Sequence, residues 1–172
     1  LCGIYIFDGI GQRLWNNSIR DFDVSGIMFR SEEYDFGAWN TGQLFIKDCT
    51  IKDTPMGIDL FQCRVNIEGS RFEGISSYGI HIVEWPAAYI LGNSFYNTSN
   101  PIWMEKVRDA RIESNTILAG DTTGITARNS GLFVKDNRIS NRTIGILLSR
   151  NCFGQLCGNE LEYNDIGIFV ED

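Results

Sequence analysis

The residue types best suited to chemistry recur on one spacing. Asp59, His81 and Trp103 follow one another at intervals of 22 residues, Glu105 and Arg128 are 23 apart, and Arg30 lies further upstream. A carboxylate beside a histidine orients the imidazole and favours its charged form, as proton transfer requires. On that reading His81 is the general base or acid, Asp59 its orienting carboxylate and Glu105 the second acid. Arg128 or Arg30 stabilises developing negative charge. Trp103 offers a flat face for stacking on a sugar ring, and Arg30 can grip a carboxylate or sulfate through two parallel hydrogen bonds. These residues form one site only if the chain brings points about 22 residues apart side by side.

A repeat of that length runs through the chain. A Gly-Ile pair recurs at Gly3, Gly26, Gly57, Gly79, Gly124, Gly145 and Gly167, with Pro101-Ile102 in the one remaining slot, at intervals of 23, 31, 22, 22, 23, 21 and 22. Two residues after each Ile stands another apolar side chain, from Ile6 and Phe29 through Leu60, Ile82, Met104, Ala127 and Leu148 to Val170. Alternation with period two predicts a strand with one buried face. Residues two and four after each glycine then point outward, which puts Asp59, His81, Trp103 and Glu105 on one surface with Arg30 and Arg128 toward its ends.

A second column fixes the register independently. Asn17, Cys49, Ser70, Asn93, Asn115, Asn137 and Asn159 recur midway through the units, each flanked by apolar residues three before and two after. Three short strands per unit are therefore expected. Helical spacing of three and four is missing, and a propeller blade needs about 40 residues. Stacking each unit on the last puts like residues about 4.8 Å apart, where stacked asparagine amides can hydrogen-bond along the stack and to turn backbone.

The pattern Gly-Ile-x-apolar followed by apolar-x-x-Asn-x-apolar resembles the right-handed, single-stranded parallel β-helix of the pectate-lyase-like superfamily, with its asparagine ladder. The resemblance covers residues 1–172 as one all-β solenoid domain of about 7 coils of about 22 residues. It implies a polysaccharide substrate and a catalytic groove on the first-strand face. The paired aspartates of galacturonan hydrolases, the Tyr-Gly-x-Asp-Pro-His run of mannuronan epimerases and the calcium-binding carboxylates of pectate lyases are not recognisable. No catalytic residues carry over, and the reaction stays open between lyase, glycoside hydrolase and no catalysis.

The 31-residue interval places an inserted loop at 31–42, directly after the first strand of its unit. Its Tyr34 and Trp39 are candidate substrate-binding aromatics, alongside Arg30 and Trp103. The 22 acidic against 15 basic residues give a formal charge of -7, which argues against nucleic acid as partner and favours a neutral or mixed glycan over a densely anionic one. No apolar run approaches the roughly 18 residues of a membrane span. The five cysteines are expected as buried free thiols: Cys63 and Cys152 share a column, but four coils separate them by about 19 Å. One histidine leaves no zinc site, the lone Asp121-Thr122-Thr123-Gly124 turn does not indicate calcium, and no cofactor is expected.

The reading these residues carry is a module that binds, and in one form cleaves, an extracellular polysaccharide, located outside the cell or on a cell or virion surface. Two alternatives stay open. One is a noncatalytic rod or assembly module of a phage spike, adhesin or filament, forming homo-oligomers or stacking end to end on further coils. The other is a peptide-recognition β-helix of an adaptor protein. The chain starting at Leu1 is expected to be a processed or excised segment.

Overall fold

The computed structural model describes residues 2–7, 11–30, 43–84 and 87–172, and among them every regular element is a β-strand. The inserted segment 31–42, with Tyr34 and Trp39, lies outside the described residues.

Three strands per unit distribute into three parallel sheets. The first sheet has eight strands, running from Cys2–Phe7 and Ser25–Arg30 through Met56–Phe61, Tyr78–Val83, Asn100–Glu105, Thr123–Arg128 and Ile144–Ser149 to Ile166–Glu171. The second and third sheets have seven strands each, beginning at Gln12–Trp15 and Ser18–Arg20. Within every sheet a strand pairs with the equivalent strand of the next unit, three strands on in the sequence. The chain is thus a parallel β-solenoid, about seven turns of roughly 22 residues.

The repeat produces this stacking because every interior column is apolar, and one of them is isoleucine along its length. Ile27, Ile58, Ile80, Ile102, Ile125 and Ile146 pair in register down the first sheet and are fully buried. Phe72 and Phe95 stack from adjacent turns, with ring centroids 4.6 Å apart. Offset aromatic stacks of this kind add to the burial of the rings themselves. At the end formed by Ile166–Glu171, Ile168 and Val170 continue the interior columns but stand exposed.

The polar column at the turn between the second and third sheets is hydrogen-bonded along its length. Backbone N–H groups of Cys49, Ser70, Asn93, Asn115 and Asn137 each donate to the side-chain oxygen of the next turn, at 2.9–3.1 Å. The asparagine amides also donate, Asn93 to Asn115, Asn115 to Asn137 and Asn137 to Asn159. Each Nδ2 has a second acceptor in a buried strand carbonyl, Ile67, Ile90 and Ile112 in turn. Turn backbone that the core would leave unpaired is thereby satisfied.

All five cysteines are free thiols, but their burial differs from the expectation: Cys49 and Cys63 are buried, Cys2 and Cys152 half-buried, and Cys157 exposed. Cys157 closes the strand Phe153–Cys157 in register with Lys135, on the outward side of the second sheet.

Candidate functional site

Register alone brings the first-sheet candidates together. Asp59 pairs with Met28 on one side and His81 on the other, His81 pairs with Trp103, and Trp103 with Thr126. Glu105 lies two residues along from Trp103, in register with Val83 and Arg128. Consecutive members are one strand spacing apart, about 4.8 Å, so their side chains meet.

They meet through Asp59. Its Oδ1 takes a 2.8 Å hydrogen bond with His81 Nδ1, and its Oδ2 accepts from Arg30 Nη2, forming a salt bridge. Arg30 Nη1 also donates to the carbonyls of Phe29, at 3.1 Å, and of Asp59, at 3.4 Å. Strand alternation directs Asp59 outward, yet the residue is only 4% exposed. Burial by itself raises the carboxyl pKa. The hydrogen bonds from His81 and Arg30, with the charge of the guanidinium, outweigh it and hold the group below the ordinary carboxylate range.

This depression has a measurable consequence. With a folded pKa below that of the unfolded chain, about 3.9, the unfolded state binds the proton first. The contribution of Asp59 to stability is complete above the unfolded pKa and is lost as pH falls through the folded value. Urea denaturation across pH 2 to 6 is expected to show Asp59→Asn losing less stability on acidification than the unaltered protein.

Beyond Asp59 the contacts are aromatic. The imidazole of His81 lies 4.8 Å from the Trp103 ring, measured between centroids, and the guanidinium of Arg128 stands 5.8 Å from Trp103, reaching it diagonally from the next turn on the far side. Arg30, Asp59, His81, Trp103 and Arg128 thus form an unbroken row across five successive turns. Tyr78 joins it, stacked on His81 at 4.9 Å and tilted against Trp103 at 5.8 Å. Period-two alternation assigns Tyr78 to the side of Ile80 and Ile82, so the strand pattern passes over it; the signal lies in its position at the start of the strand, where alternation gives way to the corner.

Chemically, the row offers a histidine fixed by a carboxylate that is itself neutralised by an arginine. Next to it lies an aromatic platform with a second guanidinium. Both carboxylate oxygens of Asp59 are engaged, and one of them holds the His81 ring at Nδ1.

A repeat solenoid carrying such a row on its first sheet is a β-helix module. The family described as periplasmic copper-binding protein (NosD) matches residues 16–172, and the chain belongs to that family. No curated protein and no solved structure matches the chain significantly. The family is described as periplasmic, which is consistent with the extracellular or surface location expected from the sequence.

The copper in that description can be tested against the donors present. Copper takes imidazole, thiolate or thioether ligands. The single histidine has Nδ1 bonded to Asp59, which leaves Nε2 as the one imidazole donor a copper ion could take. Burial pushes the Cys63 thiol up to about 12, far from a thiolate. Cys49 donates to the carbonyls of Leu14 and Lys47, and Met28 is two turns from His81 in register, about 9.6 Å. Among the described residues no three His, Cys, Asp or Glu side chains are grouped to hold a metal. These residues do not fit a copper centre.

Proposed function

We propose that this β-helix binds a polysaccharide along the outer face of its first sheet, with Trp103 and Tyr78 as the stacking platform and Arg30 and Arg128 as flanking donors to the glycan. The observation that carries the reading is the unbroken row from Arg30 to Arg128, which follows the solenoid axis as an extended polymer would. The resemblance to the pectate-lyase-like superfamily supports the same choice. The formal charge of -7 favours a neutral or mixed glycan. His81, oriented by Asp59, is the group that would move a proton if the bound glycan is cleaved, with Glu105 as the second acid.

The test is incubation with a panel of neutral and acidic polysaccharides. Retardation in affinity gels reports binding, reducing ends report hydrolysis, and ultraviolet absorbance of unsaturated uronates reports lyase action. Trp103→Ala is expected to weaken retardation by at least about tenfold, within the range for a central aromatic anchor. If cleavage is detected, His81→Ala should abolish it while leaving most of the binding. Retardation by no member of the panel, or retardation unchanged in Trp103→Ala, overturns the reading.

A further inference from the structure

The second sheet carries a pattern of its own. Its outward column reads Arg13, Phe45, Asn66, Tyr89, Arg111, Phe133 and Gln155, each in register with the next. Polar and aromatic residues alternate strictly, so a ring recurs on every second turn, about 9.6 Å apart.

At one end of this column the surface sinks into a cleft of about 270 Å³ lined by Arg13, Trp15, Phe45, Lys47, Asn66 and Glu68. Arg13 lies over the rings of both Trp15 and Phe45, at 5.8 and 5.6 Å. Lys47 and Glu68 close one side with a 3.0 Å ion pair. Two polar atoms on the strand Arg64–Glu68 are shielded from solvent yet make no hydrogen bond among the described residues: the donor Arg64 Nε and the acceptor Asn66 Oδ1. Buried polar atoms are normally paired, so these two mark a strand whose polar side chains are not fully satisfied within the chain.

We infer that this face is a second ligand track, which takes an extended β-1,4-linked polysaccharide lying parallel to the solenoid axis. In such a chain successive sugars turn over, so the same apolar ring face recurs at every second sugar, a repeat that two turns of this solenoid closely match. Sugar hydroxyls both donate and accept, which suits a cleft lined by the donors Arg13 and Lys47 and the acceptor Glu68. An extended peptide fits poorly, because its same-face side chains recur about every 6.7 Å. A single-stranded nucleic acid could stack on the rings, but its phosphates meet a protein of net charge -7. The inference stands on different residues from the first-sheet reading and does not depend on it.

Cellohexaose, cellobiose and maltohexaose are the probes, titrated calorimetrically into the intact protein, with circular dichroism confirming that each variant is folded. Cellohexaose, long enough to bridge two rings, is expected to bind at least about tenfold more tightly than cellobiose, and maltohexaose, whose α-linkages curve the chain, more weakly than cellohexaose. Tyr89→Leu should lose about tenfold in cellohexaose affinity, whereas Tyr89→Phe, which keeps the ring, should retain it. Equal affinity for the hexamer and dimer, no effect of Tyr89→Leu, or preference for a peptide or single-stranded DNA overturns the inference. Loss through Trp103→Ala with Tyr89→Leu silent also overturns it, and leaves the first-sheet reading standing.

Discussion

Replacing Asn115 by alanine is expected to destabilise the protein by about 4 kcal/mol, because it strips partners from two buried groups at about 1–3 kcal/mol each. Asn115 Nδ2 donates to the Ile90 carbonyl at 2.8 Å and to Asn137 Oδ1 at 2.9 Å, while its Oδ1 accepts from the backbone and amide nitrogens of Asn93 at 2.9 and 3.1 Å. Asn137 Oδ1 keeps the Asn115 backbone donor and Asn93 Nδ2 keeps the Ile67 carbonyl. The Ile90 carbonyl and the Asn93 N–H are the groups left without those bonds. For a chain of this size the midpoint of thermal unfolding should fall by about 10 °C.

Asn115→Asp separates the hydrogen bonds from mere side-chain volume. The aspartate keeps an acceptor for Asn93 but faces the Ile90 carbonyl with an oxygen in place of the amide donor, and burial opposes its charge. Its folded pKa is therefore raised. Relative to the unaltered protein, this variant should gain stability as pH falls through that raised value, where the protonated carboxyl donates again. A deficit independent of pH would show that shape, and not the donor, is what the column needs.

Asp59→Ala should cost about 3 kcal/mol and also disable the first-sheet face. Removing one partner from a buried pair leaves the other charge uncompensated, worth about 3–5 kcal/mol in buried settings. The lower figure applies because the Arg30 side chain is still 32% exposed and keeps part of its hydration. Arg30→Ala made on top of Asp59→Ala should restore part of the loss, the coupling expected of two residues in one ion pair. The same substitution removes the carboxylate that positions Arg30, a flanking donor to the glycan in the proposed reading, so glycan retardation should weaken with it. Denaturant titrations of the single and double variants, run beside the affinity gels, measure both effects.

Much of this was legible without coordinates. A period near 22 in two independent columns, Gly-Ile and the mid-unit asparagine, dictates which residues stand side by side. The pairs Asp59 with His81, His81 with Trp103 and Glu105 with Arg128 all occur as that period requires. Solenoids permit this because each turn contacts only its neighbours, so register is a local property of the repeat. The outer column of the second sheet obeys the same arithmetic, but its alternation concerns side chains that serve no interior, and it emerges only once the strands are aligned.

The all-β solenoid, its turn count, its interior columns and the row of candidates on the first sheet all follow from spacing along the chain. What those side chains do to one another depends on the folded packing. Arg30 is in register with Phe61 yet reaches diagonally to the carboxylate of Asp59. Asp59 is buried on a face where alternation turns it outward, and Tyr78 stacks on His81 from outside the pattern. The physical reason is reach: periodicity fixes where each Cβ starts, while long charged and aromatic side chains settle on diagonal partners, chosen by charge and packing, that no repeat encodes.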